Sequence, residues 1–322
     1  MRSQFAVVVR FAMGITAGMI AAGPGMAAET AYPNKPIRVV TSAPGSSLDM
    51  ATRIAAQGLS SSLGQQVIVD NRPVLTVEIV AKAPPDGYTL LVYGSSMWIV
   101  PFLQKVDYDP VRDFAPVTQV VMSPNALVIH PSVAATSVKE LIALAKAKPG
   151  ALNYGSSVTA GSPHLAAELF KFMAGVDIVR IPYKGVAQAL TDVVGGRVQM
   201  MFPTATSAQV HVNAGRLKLL AITSAKPFPS FPELPTMAAA GLPGYEFVAM
   251  QGLFAPAGTP AAIVNRLQRD LARYLGTADI KEKFLSSGSE AIGDTSASFA
   301  ATIKTDMARM GKLIKATSMR AE

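Results

Sequence analysis

Short apolar runs alternate along the chain with segments whose apolar residues recur at helical spacing. Residues 37–40 form one such run, and Met50, Ile54 and Leu59 then recur at the spacing of one helix face. Similar pairs of strand and helix continue to residue 223, and a helical part begins at residue 260. This alternation predicts an α/β fold with open, mostly parallel sheets flanked by helices.

The loop between the first predicted strand and helix is the first candidate ligand site. Pro44 and Gly45 end the strand, and short polar side chains crowd the helix start, where they accept hydrogen bonds from free backbone N–H groups. Such loops also occur without a ligand, but they direct backbone donors and a helix dipole at one point, which suits a carboxylate. The predicted contacts are Ala43, Pro44, Gly45, Ser46, Ser47 and Asp49.

A second stretch, residues 152–172, repeats this design. An extended segment ends in small polar residues, Pro163 lies where helices begin, and Leu165, Leu169 and Phe172 recur at helical spacing. Two such loops suggest two lobes that face each other across a ligand. The predicted contacts in this loop are Ser156, Ser157, Thr159, Ala160, Gly161 and Ser162.

Other loops that follow predicted strands supply further candidates. Ser95 and Ser96 end one strand, and Trp98 behind them is either a core residue beneath the loop or a wall of the cleft. Lys184 is either a solvated lysine of a turn or a partner for a second carboxylate. The candidates for ligand selectivity are Met97, Trp98, Lys184, Thr204 and Ser207.

The N-terminus has the pattern of an export signal. Arg2 and Arg10 precede an apolar segment, residues 11–22, which is followed by small residues. This pattern predicts a signal peptide over residues 1–28, and the apolar segment is short for a membrane span. The chain has no cysteine, so disulfides, thiol catalysis and a lipid-anchored cysteine are excluded.

Charge and missing motifs exclude several function classes. Without Arg2 and Arg10 the formal net charge falls from +8 to +6, and the remaining basic residues are scattered, which argues against nucleic acid as a partner. The chain lacks G-x-S-x-G, H-E-x-x-H, P-loop and dinucleotide-binding motifs. An exported hydrolase would have to use His130, His164 or His211 as its base, so it is the weaker alternative to a binding protein.

Motifs along nearly the whole chain resemble those of the Bug-type periplasmic solute receptors of tripartite tricarboxylate transporters. They occur in the order YPNKPIRVV, APGSSLD, NRP, APPDGYTLL, YDPVRDFAPV, LIALAKAKPGALNYGSS, SPHLAAELFKFMAGV, IPYKG, ALTDVVGGRVQMMF, AGRLKLLAITS, LPTMAAAGLPGYE and GLFAPAGTP. Because the motifs are numerous and ordered, the resemblance is specific.

The resemblance implies a two-lobed periplasmic binding protein of the type II-like kind that performs no chemistry. It implies one lobe of residues 29–124 and 249–322, a second lobe of residues 125–248, and crossings near residues 120–127 and 246–253. It further implies a small organic carboxylate as ligand, membrane transporter subunits as partners, a monomer, and no cofactor or metal. A ligand sensor for a signalling partner stays an open alternative, which neighbouring permease genes would distinguish.

In that family the ligand carboxylate binds the two loops identified above. His164 matches the family's SPHL motif, and it either contacts the ligand or forms a structural hydrogen bond in the loop. Val158 and Ala160 replace frequent glycines, so a positive φ there would be costly. Because the segment after Pro73 is shorter than in the family, we expect a ligand with an aromatic or otherwise apolar body attached to its carboxylate.

Overall fold

The structure, a computed structural model, describes residues 32–156, 160–317 and 319 of the 322-residue chain. The predicted signal peptide, residues 1–28, lies outside the described residues. The strands are β1 (Ile37–Thr41), β2 (Val67–Asn71), β3 (Thr89–Gly94), β4 (Phe114–Pro124), β5 (Ala126–Ile129), β6 (Asn153–Ser156), β7 (Val179–Pro182), β8 (Met200–Met201), β9 (Lys218–Ile222), β10 (Val248–Pro256) and β11 (Glu290–Ala291). The helices are α1 (Ser47–Leu63), α2 (Thr76–Ala81), α3 (Ser96–Ile99), α4 (Val138–Ala147), α5 (Ser162–Ala174), α6 (Val186–Val194), α7 (Ala205–Asn213), α8 (Ala261–Leu275), α9 (Ala278–Ser286) and α10 (Ser296–Thr317).

The strands form two sheets, one in each lobe. The first sheet has six strands in the order β11-β4-β10-β3-β1-β2, and the second has five in the order β7-β6-β8-β5-β9. The chain passes between the sheets at Asn125, between β4 and β5, and it returns before β10. Two sheets flanked by helices match the predicted two-lobed α/β fold, and the exact division of the chain into lobes stays a prediction.

The sheets are more mixed than the predicted, mostly parallel ones. β1 pairs in parallel with β2 and β3, and β6 pairs in parallel with β7 and β8. In contrast, β10 is antiparallel to β3 and β4, and β5 is antiparallel to β8 and β9. The physical reason is the crossing of the chain, because β5 and β10 each enter their sheet from the crossing and run opposite to the neighbouring strands.

The helices pack one apolar side against the sheets. In α4 the Ser137 side chain accepts a hydrogen bond from the Glu140 N–H and caps the helix, while Val138, Leu141 and Ala145 are buried. The long helix α10 packs beside β4, and its buried residues include Phe299. Among the described residues, none of the helices has both the length and the apolar character needed to cross a bilayer.

An aromatic cluster fills the core of the first lobe. The Trp98 ring lies 6.2 Å from Phe254 and 6.4 Å from Phe299, measured between ring centroids, and Phe254 also contacts Phe114. All four rings are buried. Pairs of this geometry add to the hydrophobic burial of the rings, so the cluster joins α3, α10 and β10 firmly.

Gly252 in β10 allows Phe299 to pack directly against the strand. A Cβ atom at this position would lie 2.2 Å from Phe299 Cζ and 3.1 Å from the Thr118 carbonyl oxygen. We therefore expect Gly252→Ala to lower the free energy of unfolding by about 2 kcal/mol, because an overpacked core must move side chains and backbone. Urea unfolding would measure this change, and Gly185→Ala, where a Cβ meets no atom within 4 Å, is the control.

Candidate functional site

A cleft of about 600 Å³ lies between the two lobes. From the first lobe it is lined by the ends of β1 and β3 and the start of α1, and from the second by the starts of α5 and α6 and by Thr204 before α7. The carboxyl ends of parallel strands are the usual ligand-binding edge of an α/β sheet. The cleft is therefore the candidate site of this fold.

The start of α1 forms the wall on the side of the first lobe. Ser46 is its N-cap, and the Ser46 hydroxyl accepts a hydrogen bond from the Asp49 N–H at 3.1 Å and donates one to the Ala43 carbonyl at 2.9 Å. Gly45 has φ +77°, a conformation that favours glycine. A helix start leaves the first backbone N–H groups without partners inside the helix, and in α1 the residues of this turn, Ser47 and Leu48, line the cleft.

Asp49 stabilises this loop from behind. Its carboxylate accepts hydrogen bonds from the Gly45 N–H at 3.0 Å, the Asn71 side-chain amide at 2.9 Å and the Arg53 guanidinium at 3.1 Å. Burial alone would raise the pKa of Asp49, but the hydrogen bonds from Arg53, Asn71 and Gly45 outweigh it and lower the pKa below its usual value. Asp49 does not line the cleft between the lobes. The prediction that Asp49 contacts the ligand is therefore corrected: Asp49 stabilises the loop.

The start of α5 forms the wall on the side of the second lobe. Ala160 adopts φ +61°, the left-handed conformation expected to be costly for alanine. The buried imidazole of His164 stabilises it, because its Nδ1 atom accepts a hydrogen bond from the Ala160 N–H at 3.2 Å. His164 does not line the cleft, so of its two predicted roles the structure supports the structural one.

Asn125 connects this second loop to the crossing of the chain. Its Oδ1 atom accepts a 2.5 Å hydrogen bond from the Ser162 hydroxyl, and its Nδ2 atom donates to the Phe202 carbonyl at 2.6 Å. The Asn125 N–H also donates to the Thr223 hydroxyl at 2.7 Å. Sequence reasoning missed this fully buried residue, although an asparagine at the start of an apolar strand was a signal that it has polar partners.

Comparisons with known proteins identify the family. Residues 51–319 match the family described as tripartite tricarboxylate transporter family receptor. Protein BugT of Bordetella pertussis is 33% identical over 94% of this chain and 96% of its own length. The chain belongs to the tripartite tricarboxylate transporter receptor family. The predicted resemblance to Bug-type receptors of this family is thereby confirmed.

Solved structures of relatives agree with this assignment. The structure described as R. palustris Rpa4515 with adipate is 35% identical, with a TM-score of 0.77, over 90% of this chain and 99% of that one. The periplasmic binding protein BugD is 28% identical, with a TM-score of 0.74, over 90% of this chain and 100% of that one. These structures confirm the periplasmic-binding-protein fold, and the family is one of receptors.

The cleft of this receptor contains no charged side chain among its described lining residues. Four helices of nine or more residues, α1, α5, α6 and α7, instead start at the cleft. Each helix start carries a partial positive charge and free N–H groups, so the cleft favours an anion.

Within the described ranges, no three His, Asp or Glu side chains are grouped as a metal site would require.

The structure brings part of the predicted site together at the cleft. The predicted residues that line it are Gly45, Ser46, Ser47, Ser95, Ser96, Ala160, Gly161, Ser162 and Thr204. Their contact with a ligand stays a prediction. Ser157 and Thr159 lie outside the described residues.

Other predicted residues lie away from the cleft. Met97 and Trp98 are buried in the core, and the Trp98 Nε1–H donates to Asp306 Oδ2 at 2.9 Å, so the cleft-wall interpretation of Trp98 is corrected. The Ser156 hydroxyl is buried and accepts a hydrogen bond from Arg180 at 2.8 Å. Lys184 is exposed and does not line the cleft, as expected of a solvated turn lysine.

Three smaller corrections concern the loop edges. Ala43 and Pro44 are exposed beside the first loop and do not line the cleft. The Ser207 hydroxyl turns back to the Thr204 carbonyl at 2.8 Å, as side chains at helix starts do, and does not line the cleft. Val74 and Leu75, in the segment after Pro73, are exposed and do not line the cleft.

Several cleft residues were missed because they come from distant parts of the chain. Ser123 lies in β4, Gln251 in β10, and Ser287 and Ser289 follow α9. The segment after α9 lies beside the second lobe because the Thr206 hydroxyl donates to the Ser287 carbonyl at 2.6 Å. Only the return of the chain to the first lobe, which the family resemblance implied, could have pointed to them. The other missed lining residues are Ser42, Leu48, Met50, Tyr93, Gly94, Pro163, Val186, Ala249 and Met250.

Proposed function

We propose that this chain is a periplasmic solute receptor that captures a small carboxylate between its lobes and delivers it to a membrane transporter of the tripartite tricarboxylate type. The observation that carries the proposal is the cleft itself, whose lining residues, as far as the structure describes them, carry no charge and which lies at the starts of α1, α5, α6 and α7. The description of the 35% identical relative with adipate supports a carboxylate. We further propose that the predicted signal peptide directs export of the chain and that the receptor is a monomer.

Binding rests on backbone N–H groups of the two loops and on the hydroxyls around them. Ser95 and Ser96 line the cleft and can add hydroxyl donors to the helix starts, whereas the Ser46 and Ser162 hydroxyls already donate to the Ala43 carbonyl and to Asn125 and hold the two loops in place. Closure of the lobes would bury the ligand and shift an equilibrium between open and closed forms. Nothing in this arrangement requires a catalytic group, so the receptor is proposed to release its ligand unchanged.

The body of the ligand is proposed to be apolar. Leu48, Met50, Val186 and Met250 line the cleft between the polar loops, and they suit an aliphatic chain or an aromatic ring. Tight binding of a small dicarboxylate together with indifference to aromatic and long-chain carboxylates would contradict this part of the proposal.

A thermal-shift screen tests the proposal. The purified protein would be heated with adipate, citrate, malate, benzoate, amino acids and neutral sugars, because a ligand that binds only the folded state raises the melting temperature by mass action. We expect a shift with at least one carboxylate and none with sugars. A rise of the melting temperature with sugars alone would contradict a carboxylate receptor. So would a melting temperature that none of the compounds changes.

Ser46→Asp provides a test of the anion site that leaves the helix cap in place. Aspartate caps a helix as well as serine does, but here it would add a negative charge to the cleft wall. We expect an affinity for the carboxylate at least about tenfold lower, since like charges about 4 Å apart repel strongly. Because aspartate cannot donate to the Ala43 carbonyl as the Ser46 hydroxyl does, we expect the free energy of unfolding to fall by about 1 kcal/mol.

Ser137→Asp is the matched control for this change. Ser137 caps α4 through the same kind of hydrogen bond, to the Glu140 N–H at 3.2 Å, and it does not line the cleft. Calorimetric titration of both variants should show weaker binding only for Ser46→Asp. Equal affinities of the two variants would place the carboxylate elsewhere.

A further inference from the structure

A second, smaller pocket of about 270 Å³ lies beside the cleft, between α1 and α9. It shares Gly45, Ser46 and Met50 with the cleft, so the two spaces border the same stretch of chain at the start of α1. The other residues that line this side pocket are Asp49, Arg53, Ile54, Gln57 and Lys283. The side pocket therefore differs from the cleft, because charged side chains line it.

The side pocket has an excess of positive charge. Asp49 contributes one negative charge, and Arg53 and Lys283 contribute two positive charges, so its lining residues sum to a net charge of +1. Asp49 is buried, and its carboxylate already accepts hydrogen bonds from the Gly45 N–H, the Asn71 amide and Arg53 Nε. The negative charge is thus compensated within the loop, and the charge of Lys283 is left over.

Both cations can be reached from solvent. Lys283 is exposed, and its ammonium group forms no hydrogen bond or ion pair with the residues that the structure describes. The Arg53 side chain is 57% exposed, and its Nη1 group has no partner in the described part of the chain, whereas Nε and Nη2 donate to Asp49 and Asn71. An anion in the side pocket could therefore accept hydrogen bonds from both cations without displacing a contact of the protein.

Two residues connect the side pocket to the edge of the cleft. Met50 is half-buried and lines both spaces, and Ser287, one helical turn after Lys283, lines the cleft. The helix starts favour one anion in the cleft, and the two cations favour a second anion in the side pocket. A ligand that occupies both spaces would place an apolar spacer against the flexible side chain of Met50 and one carboxylate at each end.

We propose that the side pocket is a second anion subsite, in which Lys283 and Arg53 bind the far carboxylate of a ligand whose first carboxylate lies in the cleft. This inference rests on the proposed function and narrows its ligand to a dicarboxylate with an apolar spacer. Because both cations are exposed, their ion pairs with the ligand are weak and sensitive to salt. The subsite therefore distinguishes a dicarboxylate from a monocarboxylate of equal length by a modest factor.

Adipate and hexanoate test the subsite in Lys283→Gln, because the two ligands have the same carbon chain and differ in the second carboxylate. Calorimetric titration should show that this variant binds adipate about fivefold more weakly than the wild-type protein does, with hexanoate unaffected. High salt should reduce the difference between the two proteins, since it screens an exposed ion pair. Lys283→Glu, which reverses the charge, should bind adipate more weakly still.

Lys281→Gln is the matched control. Lys281 is an exposed lysine of the same helix and lines neither the cleft nor the side pocket, so its replacement removes the same charge a short distance away. This variant should bind adipate as the wild-type protein does. Neither exposed lysine contributes a packed contact, so the melting temperatures of both ligand-free variants should equal that of the wild-type protein.

The outcomes separate this inference from the proposed function. If the wild-type protein binds none of the carboxylates, both proposals are overturned. Only the subsite is overturned if the wild-type protein binds hexanoate but not adipate, if Lys283→Gln keeps the full affinity for adipate, or if it loses affinity for both ligands alike. An equal loss of adipate affinity in Lys281→Gln would also overturn the subsite, because general attraction to a basic surface then explains the effect. A loss confined to adipate and to Lys283 supports both proposals.

Discussion

Replacing Asp306 with alanine is expected to lower the free energy of unfolding by about 3 kcal/mol. Asp306 is buried in α10, where it accepts a 2.9 Å hydrogen bond from the Trp98 indole and a 2.8 Å ion-paired hydrogen bond from Arg309. Arg309 in turn donates to the Glu246 carbonyl at 2.6 Å, in the segment through which the chain returns to the first lobe. Alanine would leave the buried indole N–H without a partner and remove the anion beside Arg309.

Chemical denaturation would measure this loss. Asp107→Ala is the control, because Asp107 is exposed and forms no hydrogen bond or ion pair with the residues that the structure describes. Trp98→Phe should show a smaller loss than Asp306→Ala, because it removes the indole N–H and leaves the Asp306–Arg309 pair. A change below about 1 kcal/mol in Asp306→Ala would show that the pair contributes no more than an exposed one.

Lowering the pH from 6.5 to 4 is expected to cost the receptor about 3 kcal/mol of stability through His164 alone. Burial of the imidazole, with a contribution from Arg180, lowers the pKa of His164 from 6.5 to about 4, although Glu168 acts in the opposite direction. Because the pKa is lower in the folded state, the full contribution is present above pH 6.5. This contribution is lost progressively as the pH falls from 6.5 toward 4, because over this range the unfolded chain binds a proton at His164 that the folded chain largely does not.

The same proton would disturb the cleft. The Nδ1 atom of His164 accepts the Ala160 N–H and cannot do so once it is protonated, so Ala160 would lose the bond that stabilises its left-handed conformation. We therefore expect ligand affinity to fall over the same pH range. Although burial acts to raise them, the pKa values of the Asp49 and Asp70 carboxyl groups are lowered in the folded protein by their hydrogen bonds to arginine, which outweigh burial, so their contribution to stability is lost mainly at lower pH than that of His164.

Thermal melting as a function of pH separates His164 from other groups. In His164→Asn the amide oxygen can accept the Ala160 N–H without titrating, so the stability of this variant should vary less between pH 6.5 and 4. His130→Asn, at a histidine that hydrogen-bonds to Ser132, is the control for the loss of an imidazole elsewhere in the fold. Identical pH profiles for His164→Asn and the wild-type protein would show that another group is responsible.

The sequence by itself determined the strand–loop–helix units and the two loops at the cleft. Helix starts depend on residues close together in the chain, so the cap formed by Ser46 and the turn at Gly45 could be predicted locally. The alternation of strands and helices, together with the family motifs, was enough for the two-lobed α/β fold. The direction of β5 and β10 was not predictable in this way, because strand direction depends on where the chain crosses between lobes.

Only the tertiary structure decided which residues face the cleft and which lie behind it. Trp98 follows a cleft loop directly, yet its indole meets Asp306, 208 positions away, and lies in the core. Gln251 reaches the cleft through a contact with Ser47, 204 positions away, and no local pattern marks it. The physical reason is that periodicity and capping act over a few residues, whereas contacts between distant segments depend on how the sheets and α10 pack together.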